Sequence, residues 1–450
     1  MSHPESTLSG IARAADPAFV TAVDLGGRAA GPMAPAPPES EQRTSRRGVA
    51  AVLVGNVGNA AAGLMPPLVA LPIYIGVYDP EGKAGSLGLT LGLLALTLLV
   101  FTPVFGAISD RTTSRLGMRK PGLLAGTGVL VAGLFIQGLA TNVPLLILGA
   151  TVMAVGSALF TASYSALIPD QVAPASRGRV LGFQSLILVV MGVSASIVGP
   201  ALIGNQLVLF TAGGGLMIIT TLITTMLLKD RLLDKKDVPA QPALRALTDG
   251  FAYNPKSAPD FSRVWASRFL VTLGVSFGGF SVYFLTDQLK VSADALPGLI
   301  SLTGVINLGG TVIGTLGGAF LSDKLGRRKS LVLITGMILA AGGLITAFSP
   351  DVPVFMLATA VIAFGLGTFI PIDGALVMDV LPGGKAQTGK YMSIMTIADQ
   401  LPRAIGPFLA PGVIALGALT PMGGYPVLYL FMGIFSIIGG LVVRKVKNAR

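Results

Sequence analysis

An all-α membrane protein of twelve transmembrane helices, arranged as two parallel six-helix repeats, is the fold class that this 450-residue sequence predicts. Three observations predict it. Apolar stretches long enough to cross a bilayer recur between residues 49 and 443, basic residues gather on one side of them, and short motifs of the first half return in the second.

Composition sets the class. Apolar residues are 52% of the chain and charged residues 12%, with a mean hydropathy of +0.76. Soluble domains carry about 25% charged residues, so a soluble fold is excluded. There is no cysteine and one histidine, His3, in a polar stretch, so zinc, thiol and histidine-triad chemistry lack their residues. No metal and no cofactor is expected. No phosphate-cradling glycine loop precedes a lysine, which leaves passive or ion-coupled transport rather than nucleotide hydrolysis, and no enzyme. A net charge of +11 would suggest nucleic acid in a soluble protein, but its placement here points to a membrane instead.

A spanning helix needs about 20 apolar residues, since about 30 Å of hydrocarbon is crossed at about 1.5 Å per residue. Twelve stretches qualify. Of the 32 basic residues, 28 lie in the N-terminal tail, the even-numbered loops and the C-terminus. Only Lys83 and Lys290 lie on the other side, and Arg268 and Arg403 fall within spans. Cytoplasmic loops carry the excess of Lys and Arg, so both termini are expected on the cytoplasmic side of the cell (inner) membrane. The expected organisation is a disordered cytoplasmic tail over 1–48, a six-helix bundle over 49–228, a cytoplasmic linker over 229–263, a second bundle over 264–443 and a basic tail over 444–450.

The repeat fixes the relation between the bundles. Ser109-Asp110 returns as Ser322-Asp323, Asp170 as Asp379 and Gly199-Pro200 as Gly406-Pro407, at offsets of 213, 209 and 207 residues. These pair spans 2 with 8, 4 with 10 and 5 with 11, so the repeat keeps its direction.

The loop after span 2 reads GAISDRTTSRLGMRKP from Gly106 to Pro121, and that after span 8 reads AFLSDKLGRRKS from Ala319 to Ser330. Both resemble the signature loops of the major facilitator superfamily. The first is similar to the loop of the glycoside-pentoside-hexuronide and sucrose symporter branch, and the run from Pro371 to Pro411 resembles a branch of sucrose-transporter-like bacterial proteins. The resemblance implies alternating access, a cavity lined by spans 1, 4, 7 and 10, and a cytoplasmic gate. That gate would use Gly106, Asp110, Arg111, Arg115, Asp170 and Arg177 in the first half, with Asp323, Arg327, Arg328 and Asp379 in the second. Read as charges alone, most of these basic residues are topology signals.

Asn56 and Asn59 lie three apart and share a helix face. An amide in a span serves either as glue between helices or as part of a solute site, and the same two readings hold for Gln184, Tyr283 and Asn307. Tyr164 and Asp373 are repeat mates, each six residues before a repeated aspartate. In a cavity-lining span, Asp373 is a candidate for solute and proton binding, or a local partner for Arg268. Asp399 and Arg403 lie four apart around Pro402, about 16 Å into span 11. With no histidine to titrate, Asp399, Arg403 and Asp373 are expected to carry proton coupling, against the reading of a permanent Asp399–Arg403 pair.

The expected function is a proton-coupled secondary transporter of a small solute, with a sugar or glycoside favoured by the branch resemblance. Span 2 has no acidic residue between Ser86 and Ser109, which argues against sodium coupling of the melibiose-carrier kind. A proton-driven efflux antiporter for drug-like or other amphiphilic molecules is the alternative, and a transport-silent membrane sensor is a third. Beyond solute, protons and the lipid bilayer, no protein partner and no nucleic acid is expected.

Overall fold

The computed structural model describes residues 45–233, 253–382 and 388–446. The expected tail up to residue 44, the middle of the linker and the last four residues lie outside these. Every regular element among the described residues is helical. Twelve helices have the length and hydropathy to cross a membrane: α1 Arg46–Tyr78, α2 Lys83–Ser109, α3 Lys120–Gly138, α4 Val143–Gln171, α5 Pro174–Ala201, α6 Gln206–Leu227, α7 Pro259–Gln288, α8 Leu296–Leu325, α9 Arg328–Ala347, α10 Val352–Asp379, α11 Lys390–Ala418 and α12 Gly424–Val443.

Local chemistry starts these helices. Ser45 accepts from Gly48 N, Asn142 from Leu145 N, Asn205 from Val208 N and Asp351 from Val354 N, each satisfying an orphan amide of a first turn. Two of these caps obey the repeat, since 351 − 142 = 379 − 170 = 209. α1 starts at Arg46 and α7 at Pro259, a few residues before the apolar runs at 49 and 264, because the Ser45 cap and a proline in the first turn act outside the hydrocarbon. α1 and α7 are both irregular in their last third. α1 has a π-turn at Pro66–Ala70, and α7 a 3₁₀ turn at Phe277–Phe280 followed by a π-turn at Phe284–Gln288.

Within each half, glycines let helices touch. A Cβ on Gly133 of α3 would lie 2.2 Å from Met153 N of α4, and one on Gly314 of α8 would lie 2.3 Å from the Phe364 carbonyl of α10. Lipid supplies no hydrophobic drive between helices, so such close backbone packing is what holds them.

The halves meet through α2 against α11 and α5 against α8. These contacts lie at the end remote from the basic loops, here called the far end. A Cβ on Gly88 would lie 2.4 Å from the Pro407 carbonyl, and one on Gly304 would lie 2.2 Å from Ser196 Cβ. Toward the basic end, Gly106, Gly178, Gly182 and Gly317 of the same helices face open space, and Gly318 packs on Thr368 within its own half. The four contact helices are also the least buried of the twelve. The halves therefore touch at the far end and part toward the basic end.

Candidate functional site

Three polar groupings and one cavity are set by this packing. At the far end a latch joins the halves. Lys83 Nζ of α2 lies 2.6 Å from Asp287 Oδ1 of α7 and 5.0 Å from the centroid of the Tyr283 ring. Tyr425 of α12 donates to Asp287 Oδ2 at 2.9 Å, and the Tyr283 hydroxyl donates across the halves to the Pro72 carbonyl at 2.9 Å. Beside it, the Asp79 carboxyl lies below the usual carboxylate range, because the Ser86 hydroxyl and the Gly82 N–H both donate to it. Tyr283, a solute-site candidate in the sequence, thus sits in this latch and is buried.

At the basic end each half closes on itself. Arg119, 8% exposed, binds Asp110 Oδ1 at 2.7 Å, Asp170 Oδ2 at 3.1 Å and Ser109 Oγ at 3.0 Å. Burial alone would lower the Arg119 pKa, but the two carboxylates outweigh it and raise it above its ordinary value. Asp230 caps the start of α3, accepting from Arg119 N and Lys120 N at 2.7 and 2.8 Å. Gly117 permits this approach with φ +107°, and a side chain there would collide with Asp230. In the second half Arg328 binds Asp379 and the Ala375 carbonyl. The two arginines are repeat mates, 328 − 119 = 209, which is the signal that would have singled out Arg119. Arg177 donates to the Val172 and Pro169 carbonyls, and Arg111 is half-buried and engaged. Arg115, Asp323 and Arg327 are exposed, and Gly106 has room for a side chain. Of the gate candidates, Asp110 and Asp170 thus meet in one cluster in the first half, and Arg328 and Asp379 in a separate one in the second.

In mid-membrane the halves differ. In the first, Asn56 of α1 donates to the Gln184 carbonyl of α5 at 2.8 Å, the Gln184 amide donates to the Tyr164 hydroxyl of α4, and that hydroxyl donates to the Val52 carbonyl at 2.6 Å. Asn56 and Tyr164 are buried, so this network braces three helices. Asn59 is half-buried. In the second half Arg268 of α7 grips Asp373 of α10 through Nε at 2.5 Å and also through Nη2. Asp373 is 1% exposed, and its other oxygen, Oδ1, has no hydrogen-bond partner. Asp399 of α11 lies near enough to act on Asp373 electrostatically. Its own pair with Arg403, at 3.2 Å, is 37% and 53% exposed, in contrast to the deep placement that its position in the span suggests. A helix can turn a residue at mid-depth toward an open cleft, and sequence depth does not report that.

The cavity, about 430 Å³, lies where the halves meet. Leu68 of α1, Ser196 of α5, Gly278 of α7, Asn307 of α8, Phe355 of α10 and Met432 of α12 share its wall, and no charged residue among the described ones does. Four of its hydroxyls are committed, since Thr303, Thr346, Thr359 and Ser196 each donate to a carbonyl of their own helix, while those of Ser281, Thr311 and Tyr429 have no hydrogen-bond partner among the described residues. Asn307 is exposed there, with its amide N–H donated to the Thr303 carbonyl at 3.0 Å. Volumes of about 300 to 1,000 Å³ with mostly apolar walls suit drug-sized molecules.

Comparison with known proteins agrees with the fold. The family profile described as Major Facilitator Superfamily matches residues 49–291 and, again, 264–449. The chain is 28% identical over 425 residues, 91% of its length and 96% of the relative's, to the multidrug efflux pump Tap of Mycobacterium tuberculosis (strain ATCC 25618 / H37Rv). A shorter match, 30% over 138 residues (31% of this chain and 29% of the relative), is to the inner membrane transport protein YajR of Escherichia coli (strain K12). Among solved structures it is similar to the nucleoside transporter NupG, with TM-score 0.70 and 14% identity over 89% of this chain and 100% of that one. It is also similar to a bacterial homologue of the human lysosomal transporter Spinster in an inward-facing, unoccupied conformation, with TM-score 0.62 and 17% identity over 92% and 96%.

Proposed function

The chain belongs to the Major Facilitator Superfamily and is a multi-pass membrane transporter, not an enzyme, and from that premise we propose that it exports neutral or weakly polar amphiphilic molecules in exchange for protons. The observation that carries this reading is the apolar cavity without a charged residue in its wall. A sugar presents a hydroxyl on nearly every carbon and loses water that the site must replace, with each unmet buried group costing about 1 to 3 kcal/mol. Here Thr303, Thr346, Thr359 and Ser196 spend their donors on their own helices, which leaves the wall few donors for a polyhydroxyl solute and supports an amphiphile over the sugar that the loop motifs favour. The similarity to Tap over nearly its whole length is consistent with export.

Coupling is assigned to the Arg268–Asp373 pair, with Asp399 and Arg403 beside it. Among the described residues Arg268 is the one group that donates to this buried carboxylate, whose other oxygen is unserved. A proton on Asp373 would cancel that charge and free Arg268, which is 19% exposed, to swing toward the cleft. Two groups thus exchange partners with protonation. Asn307, in the cavity wall, is the amide offered to the solute, and Asn59 lies outside that wall.

In inside-out vesicles with an acid interior, the wild-type protein is expected to accumulate the dye Hoechst 33342 well above the level reached in vesicles without the protein, and collapsing the pH gradient should release it. Accumulation of radiolabelled sucrose in right-side-out vesicles under an inward proton gradient, without dye transport, would return the sugar reading. The basic end is assigned to the cytoplasm on the charge distribution. Cysteine at Lys290 should therefore react with an impermeant maleimide on whole cells and cysteine at Lys324 should not; the native chain, without cysteine, gives no background.

A further inference from the structure

Four glycines line the cavity: Gly192, Gly278, Gly279 and Gly304. Helix contact accounts for two, since a Cβ on Gly304 would overlap Ser196 and one on Gly279 would lie 3.3 Å from Leu91; on Gly192 a Cβ would make an ordinary contact with Leu64 at 3.8 Å. Gly278 is different. A Cβ there would find no heavy atom within 4 Å, and its backbone is not in the left-handed region. Glycine is among the least favourable residues in a helical segment, so a position that has room for a side chain and no need of special φ gives it no local reason to be there. Its surroundings also prevent it from turning away. Gly278 sits in the 3₁₀ turn of α7 between Phe277 and Phe280, both wholly buried, which pin the turn on either side.

We infer that Gly278 is a specificity-determining residue: its missing side chain sets the largest cross-section the cavity admits, and the space it leaves takes the flat, uncharged aromatic part of the solute. The wall it shares with Phe355, Tyr429 and Met432 has no charge and two rings, which suits a fused-ring moiety more than a flexible chain or an ion. This inference rests on the amphiphile-export reading for its biological sense, but the size limit itself is a property of the cavity.

The test uses the absence of native cysteine. In the full-length protein with Asn307→Cys in the cavity wall, the rates of reaction with N-ethylmaleimide and with the bulky, neutral N-(1-pyrenyl)maleimide are compared. Gly278→Ala, Gly278→Val and Gly278→Leu should slow the pyrenyl reagent progressively, by roughly tenfold or more for leucine, with the ethyl reagent changed less than about twofold. Thermal stability should hold across the series. Equal slowing of both reagents, or no change in either, would overturn the inference. Hoechst 33342 export by the same Gly278 variants, with Asn307 intact, should fall in the same order. If the wild type exports no Hoechst 33342 while the maleimide selectivity appears, the export reading fails and the size limit stands.

Discussion

Asp373→Asn is expected to abolish pH-gradient-driven accumulation while leaving solute exchange across a vesicle with no gradient intact. A gradient of one pH unit stores about 1.4 kcal/mol per proton, enough for about tenfold accumulation at one-to-one exchange, so the mutant should fall from that level to equilibration. Asparagine imitates the protonated carboxyl in shape and charge and cannot cycle. Removing the partner has a different signature. Arg268→Gln leaves a carboxylate that is 1% exposed without its cation, a loss of about 3 to 5 kcal/mol in known buried pairs. The purified Arg268→Gln protein should melt well below wild type, and adding Asp373→Asn should recover most of the melting temperature without recovering accumulation. Gradient-driven accumulation at the wild-type level in Asp373→Asn would shift coupling to Asp399, where Asp399→Asn would then show the loss. The Asp399–Arg403 pair is expected to matter less for stability, because half-exposed i,i+4 pairs contribute about 0.3 to 0.5 kcal/mol.

Lys83→Met is expected to open the far end. Lys83 and Asp287 are 204 residues apart in sequence and join the two halves at 2.6 Å, where Asp287 also takes the Tyr425 hydroxyl. A hydrogen bond to a charged group contributes about 1.5 to 3 kcal/mol, and partial exposure of both side chains, 20% and 30%, places this one near the lower bound. Even about 1.4 kcal/mol shifts a two-state population tenfold. Spin labels at Glu81 and Asp294, on exposed loops of the two halves, should report a longer inter-label distance gaining population in Lys83→Met and in Asp287→Asn. An unchanged distance distribution in both variants would remove the latch. The Tyr283 hydroxyl bond to Pro72 predicts a smaller effect of the same sign for Tyr283→Phe, since that bond is between neutral groups.

The sequence by itself determined the twelve helices, their grouping into two parallel sixes and the concentration of charge at one end. Each of these is a one-dimensional property that the bilayer imposes: length against hydrocarbon thickness, Lys and Arg against translocation, and repeated motifs such as the Asp170 and Asp379 pair. The repeat even contained the arginines that bind those aspartates, at the same offset of 209, although only Arg328 stood out in the loop motif. What only the tertiary structure decided is which polar residue faces which partner. Asn56 and Tyr164 turn into a brace between helices while Asn307 turns into the cavity; Tyr283 joins a latch; Asp373 is sealed with Arg268, while Asp399, closer to mid-span in sequence, stands half-exposed. Helix rotation and tilt fix those choices, and they are set by packing with other helices of the bundle, through glycine contacts whose pairing no local pattern encodes.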